Sequence, residues 1–455
     1  MTGTLDTITT DGAQPAHTQP MRWKWLTRIV FRFCFLYFSL YCLLVPPNLF
    51  TLIGWLGRSS GYDAQYWHIR KLQPAMNWVS QHLFGTTVQL YPNGAGDQAI
   101  FWVLMLCILI AAMVGTTVWS VLDRHSPHYR VLTSWYLLGI RLVLAGQLLS
   151  FGFAKAIPTQ MPQPSLTTLL TNYGDMTPMA VLWSQVGMSR PYEILLGTAE
   201  ITAAVLLFIP RTALLGALLA LIDTLQIVVL NMAFDVTEKI SSTHLLLMSL
   251  LLLAPETRRL VRILLLNRAA SPSAVPYPFR TRRSRRTAAA AQVALALWIA
   301  VPLGQGGWHA WRTGGPDRPK PALYGIWSVM QYTRDGQSVP PLTTDENRWK
   351  TMVFDYQHSV TYQRMDDTLV TVSADIDATA HRIRLTPKTI PSSPDPSGPR
   401  SSSGTLTFQQ PEPDTAVLTG ELDGHQVELT LDRIDPNSFP QRKTPFHWIQ
   451  NRPNL

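Results

Sequence analysis

The sequence predicts an α-helical transmembrane bundle of about seven spans, followed by an all-β, antiparallel, barrel-like C-terminal domain. Three observations carry this. Residues 22–305 hold long apolar runs, each near the ~20 residues that a helix needs to cross hydrocarbon. Residues 322–449 alternate apolar and polar side chains with the period of a half-buried strand. Arg258, Arg259, Arg262, Arg268, Arg280, Arg282, Arg283, Arg285 and Arg286 crowd into one connection between apolar runs, as in a cytoplasmic loop.

Residues 1–20 are polar and aperiodic and are expected to form a disordered tail. They do not make a signal peptide, because no small-residue cleavage site follows the apolar run. Residues 21–131 hold two spans, about 25–45 and 98–121, the first ended by Pro46-Pro47. Between them, the amphipathic pieces 48–57 and 75–90 carry Trp55, Trp78 and neighbouring aromatics and are expected to lie on the outer interface. Residues 132–268 hold four spans, about 133–153, 190–209, 212–232 and 240–254. The connection 156–189 is rich in proline, and its apolar part, Met179–Val186, is too short to cross. Residues 269–305 are the basic loop and a seventh span, 287–304, expected to end before Gly306-Gly307. Basic residues before span one, after span two, at Arg211 and in 258–286 fall on one side if the spans alternate. The N-terminus is then cytoplasmic, and residues 306–455 lie outside the inner membrane of a bacterium.

In the C-terminal region Val427, Leu429 and Leu431 alternate with Glu428, Thr430 and Asp432, and Ile383 with Arg382 and Arg384. Asp335-Gly336, Asp366-Asp367 and Asp423-Gly424 supply turns. Roughly eight such strands suggest an up-and-down barrel or a sandwich. The Pro/Ser-rich stretch 387–404 reads as an exposed loop, and His447 as a structural strand end.

The net charge of +9 is gathered in the arginine loop, which favours anionic lipid headgroups over nucleic acid. The three cysteines lie in spans without metal spacing and read as packing residues. No catalytic triad order, phosphate loop or dinucleotide fingerprint is present, so no reaction is legible.

The candidate site is the polar set at membrane depth: Arg141, Lys155, Glu193, Glu200, Asp223, Asn231 and His244. Ionised groups in hydrocarbon are costly and normally face the bundle interior, where they pair. Arg141, Glu200 and Asp223 are expected near the midplane and facing one another. Lys155, Glu193, Asn231 and His244 are expected nearer the outer leaflet. Two readings stay open: an internal ion pair that fixes helix register, or a site for a ligand, a quinone or a proton.

Arg141 to Gly146, Gly152-Phe153-Ala154-Lys155, Glu193 to Leu207 with Gly197 and Glu200, and Pro210-Arg211-Thr212 together resemble the DoxX-like integral membrane proteins. That resemblance spans residues 137–255. It implies a four-span core and, for some members, a link to quinone-dependent redox complexes; Arg141, Lys155 and Glu200 sit at its recurrent polar places. The opening strand carries Gly325-Ile326-Trp327, which resembles the lipocalin-type signature. In that family the tryptophan closes one barrel end beneath an arginine from a late strand, here Arg433. The aromatic residues Trp349, Phe354, Tyr356, Tyr362 and Phe408 either line a ligand cavity or fill the barrel.

The function expected is a membrane redox accessory with a polar intramembrane site, with quinone as a candidate cofactor. The alternative is a non-enzymatic carrier, sensor or scaffold that binds lipid or another apolar molecule through the outer barrel. Membrane lipids, a membrane redox partner and an apolar small molecule are the partners each reading requires.

Overall fold

The computed structural model describes residues 23–59, 62–270, 277–279, 281–387, 401–443 and 448–449. The tail 1–20, most of the Pro/Ser stretch and His447 lie outside the described residues. Among the described residues, seven helices are long and apolar enough to cross a membrane, and a closed antiparallel barrel follows them.

The first part contains α1 (Trp25–Leu44), α2 (Pro46–Leu52), α3 (Trp55–Ser59), α4 (Tyr62–Phe84) and α5 (Ala99–Leu122). Pro46 both ends α1 and opens α2, where a missing N–H costs nothing. The expected amphipathic pieces are displaced. Gly54, at φ 55°, separates α2 from α3, and Gly85, at φ 70°, ends α4, so 85–90 is not helical.

The core bundle is α6 (Arg130–Ala156), α7 (Leu166–Leu170), α8 (Pro178–Gly187), α9 (Arg190–Phe208), α10 (Ala213–Ala233) and α11 (Lys239–Leu253). The last of these runs on through irregular turns and α12 (Thr257–Leu260) to Leu265. α6 and α9 cross at glycine: a Cβ on Gly197 would meet the backbone of Ala156 and Gly152 at 2.3 and 2.6 Å. Small residues of this kind let two backbones approach inside a membrane.

The seventh long helix, α13, runs Arg282–Gly314, so the expected span 287–304 is too short at both ends. Thr281 and Ser284 form a capping box that starts the helix inside the arginine run. Gly306-Gly307 does not stop it. Gly307 lies against Ile157 and Gly304 against Phe153, so these glycines serve close packing. The bundle therefore ends at Gly314 and not at 305.

The two ends of the bundle differ. At one, Arg28 donates to the carbonyls of Arg124 and Ser126, and Arg32 donates to Ser120 and Asp123, tying the start of α1 to the end of α5. At the other, Asp97 accepts the N–H groups of Lys239 and Ile240 at 2.7 and 2.9 Å, capping α11 from the start of α5.

The barrel comprises β1 (Gly325–Arg334), β2 (Gln337–Ser338), β3 (Trp349–Tyr356), β4 (Ser359–Arg364), β5 (Leu369–Asp377), β6 (Arg382–Thr386), β7 (Gly404–Glu412), β8 (Thr415–Leu422) and β9 (His425–Ile434). Neighbours pair in sequence, β2 is a short flap on β1, and β1 pairs with β9 to close an eight-stranded meander. Positive φ at Asp335 and Gly336, and again at Asp423 and Gly424, turns two of the hairpins. The alternating residues Ile383, Leu406, Leu418, Leu429 and Leu431 all point inward and are fully buried. Trp327, Trp349, Phe354 and Tyr362 join them, with Trp349 stacked on Tyr362 at 4.4 Å. Tyr356 departs from the expected aromatic set. It is 43% exposed and lies under the Arg318 guanidinium. A short helix, α14 (Pro440–Lys443), follows the barrel.

Candidate functional site

The connection between α6 and α9, residues 157–189, forms a strap across one end of the core bundle. Glu193, 1% exposed, holds it by accepting the Met161 N–H at 2.9 Å, and Trp183 pins it by donating to the Gln160 carbonyl at 2.9 Å. Beneath it, between α9, α10 and the start of α11, lies a pocket of about 640 Å³. Its walls are apolar, from Phe151, Leu182, Leu196, Ile227, Leu230 and Phe234 among others. Into these walls are set Lys155, Gln160, Glu200, Asp223, Gln226, Asn231 and Glu238. An apolar cavity with a few convergent polar groups is the usual form of a small-molecule site.

The centre of that polar group is an ion pair. Lys155 Nζ lies 2.9 Å from Glu200 Oε1 and 3.1 Å from Oε2, with both side chains almost wholly buried. Phe151 faces the ammonium 5.7 Å from its ring centre. Asn231 donates to the Glu238 carbonyl at 3.2 Å, fixing the α10–α11 turn at the pocket rim. Glu238 precedes α11, and burial pushes its carboxyl above the usual range, with the Ser241 hydroxyl opposing. Asp223 Oδ2 and Gln160 Oε1 are buried and have no hydrogen-bond partner among the described residues.

The structure divides the predicted set. Lys155, Glu200, Asp223 and Asn231 line one pocket, and Glu193 stands behind the strap that roofs it. Arg141 does not face Glu200. It is buried against α13, where it donates to Gln292, and Gln292 in turn donates to the Tyr277 hydroxyl at 3.2 Å. The reason is depth. Arg141 and Lys155 share a helical face, but fourteen residues at ~1.5 Å each place them about 21 Å apart along α6. The crossing at Gly152 and Gly197 brings Glu200 to the Lys155 level. His244 is also elsewhere. It stacks on Tyr41 at 3.9 Å, its Nδ1 meets the Ile240 carbonyl at 2.7 Å, and its Nε2 meets the Tyr37 hydroxyl at 2.9 Å. Both ring nitrogens are thus engaged, Nδ1 within α11 itself and Nε2 with α1, and the ring packs α11 onto α1.

In the barrel, Trp327 and Arg433 are directly paired across β1 and β9. Arg433 donates to the Tyr324 carbonyl at 3.3 Å, and Trp327 donates to the Leu323 carbonyl at 2.8 Å. Gly325, at φ 149°, leaves room that a side chain would take: a Cβ there would sit 3.2 Å from Arg433 Nε. The opposite end opens into a polar hollow of about 390 Å³ lined by Arg334, Glu346, Arg364 and Asp423.

The barrel and the strap touch. Asp355 of β3 accepts the Leu166 N–H at 2.9 Å and pairs with Arg318, while Arg442 donates to the Pro164 carbonyl at 3.2 Å. Leu166 is buried against Ile326 and Val353. Sequence reasoning missed Gln160 and Glu238 as pocket residues. Gln160 sits in a proline-rich connection with no periodicity to place it, whereas Glu238 could have been suspected from its place beside the fourth core span.

YwoB, an uncharacterised protein of Bacillus subtilis (strain 168), is 35% identical to this chain over 132 residues, which make up 27% of the chain and 78% of YwoB. This chain belongs to the YwoB family. The YwoB relationship reaches about a quarter of the chain and brings no ligand or activity with it. No family model and no solved structure matches the chain.

Proposed function

We propose that this protein is a DoxX-like bacterial inner-membrane protein whose core bundle holds an apolar small molecule of quinone type, as an accessory to membrane redox chemistry. The observation that carries the reading is the buried Lys155–Glu200 pair at the wall of an otherwise apolar pocket. A charged pair at that depth carries a desolvation cost that apolar packing would avoid, and ionisable residues kept inside membrane segments commonly mark ligand, ion or proton sites. In this reading the apolar walls take the ring and tail, and the polar group orients the head. Lys155, Glu200 and Asp223 are the head-orienting residues, and Glu193 positions the strap above them. The basic ends of α1, α5 and α13 support an orientation with the N-terminus cytoplasmic and the barrel outside. The barrel is read as lipocalin-like on the strength of Gly325, Trp327 and Arg433. Its open end is polar, which favours the bundle over the barrel as the berth for an apolar ligand.

The test is direct. The full chain would be purified in mild detergent and its organic extract examined for quinone by absorbance before and after borohydride reduction. Quinone near one equivalent, lost in Lys155→Met, supports the reading. An extract free of quinone, together with no saturable uptake of added ubiquinone or menaquinone analogues, refutes it.

A further inference from the structure

We infer that the bundle pocket selects amphiphiles whose head group donates hydrogen bonds, over isosteric heads that can only accept them. This rests on the reading of the pocket as the berth of an apolar ligand and goes on to specify its head.

Two observations point the same way. First, acceptors are in surplus. Asp223 Oδ2 and Gln160 Oε1 are buried, belong to pocket-lining residues and lack partners among the described residues. Buried polar atoms are nearly always paired, so two unpaired acceptors on residues that line one pocket favour a ligand that brings hydrogen-bond donors. Two of the strongest donors nearby are engaged: Lys155 meets both Glu200 oxygens, and the Asn231 amide meets the Glu238 carbonyl. Second, the charge is lopsided. The pocket lining holds one cation, Lys155, against three acidic side chains, Glu200, Asp223 and Glu238. A carbonyl or ether head, that of an oxidised quinone included, would place its lone pairs against that field, whereas a hydroxyl or amine presents hydrogen to it, so within the quinone class the pocket favours the reduced quinol.

The two orphan oxygens come from different elements. Asp223 is fixed in the middle of α10, and Gln160 hangs from the strap. A head that bridges them would tie the strap to the bundle.

The experiment uses the full chain in lipid nanodiscs and two fluorescent probes of nearly equal size, 2-naphthol and 2-methoxynaphthalene, with empty nanodiscs subtracting partition into lipid. The expected result is naphthol binding at least about tenfold tighter, the scale of a hydrogen bond to a charged acceptor. Asp223→Asn should bring naphthol affinity down toward that of the methoxy probe, and Gln160→Leu should remove part of the preference. Equal affinity of the wild-type protein for the two probes would overturn the inference, since the oxygens would then be served by water, while leaving the pocket reading intact. Saturable binding of neither probe would sink the pocket reading itself. Unchanged discrimination in Asp223→Asn and Gln160→Leu variants that elute and unfold like wild type would also overturn the assignment.

Discussion

Breaking the Lys155–Glu200 pair should cost far more than removing it whole. Both side chains are more than nine-tenths buried, and the ammonium touches both carboxylate oxygens at about hydrogen-bond length. Lys155→Met leaves a carboxylate stranded in a low-dielectric wall, and Glu200→Leu leaves an ammonium there. Each single change should therefore destabilise the bundle by about 3–5 kcal/mol. The double variant Lys155→Met/Glu200→Leu replaces the pair with apolar volume and removes one charge of each sign. The net charge of the pocket is then unchanged, and the double variant should lie within about 2 kcal/mol of wild type. The coupling energy of the cycle is then at least ~4 kcal/mol, well above the ~0.6 kcal/mol average for polar contacts between membrane helices. Equilibrium unfolding of the four proteins in mixed micelles, followed by tryptophan fluorescence and circular dichroism, measures it. Single variants that each cost under ~1 kcal/mol, or a double variant as unstable as the sum of the two, would refute the reasoning.

Other perturbations probe the scaffold. Gly197→Ala places a methyl against the α6 backbone and should cost about 1–3 kcal/mol while weakening Lys155–Glu200 coupling in the same cycle. Asp355→Ala removes the acceptor that holds Leu166 and Arg318, and limited proteolysis should then cut within residues 157–175 several times faster while barrel circular dichroism stays unchanged. The His425 hydrogen bond, followed by the Gln426 N–H, holds the Asp335 carboxyl below the usual range. A carboxyl depressed in the folded state stabilises above its unfolded value, and that contribution is lost as pH falls through the lower folded value. Barrel stability should therefore decline below about pH 4, and less steeply in Asp335→Asn, as read by acid titration of the near-ultraviolet spectrum. Gly325→Val should destabilise the barrel by more than the ~1 kcal/mol of an average point substitution, because φ 149° beside Arg433 strains a β-branched side chain.

The fold was legible because two strong periodicities wrote it. Hydrocarbon thickness forces apolar runs of nearly fixed length, and the pleat forces alternation at Val427, Leu429 and Leu431. The site was legible only as a list of residues. Charge at membrane depth marks Lys155, Glu200 and Asp223, yet periodicity gives a helical face without giving the height at which a neighbouring helix meets it. That height is set by the contact of Gly152 with Gly197, which is visible in the sequence only as two more glycines. Arg141 was misplaced for this reason, because its partner, Gln292, lies 151 residues away on a helix whose register nothing local specifies. The over-long α13 has a different cause. Glycine pairs read as stops when their neighbours are unknown, and here Ile157 and Phe153 use the bare surface.

Joining β1 to β9 closes the eight-stranded meander, and among the described residues only the two-residue flap β2 ends the sheet with a free edge. A protein that docks on it finds at most a two-residue backbone ladder to extend, so strand addition, a common way for a sheet to capture an extended peptide, has little to build on. Recognition must instead go through side chains at the polar mouth or along the surface beside the strap. Any partner will therefore be chosen by charge and shape rather than by main-chain pairing, and it can be lost through single side-chain changes that leave the barrel intact.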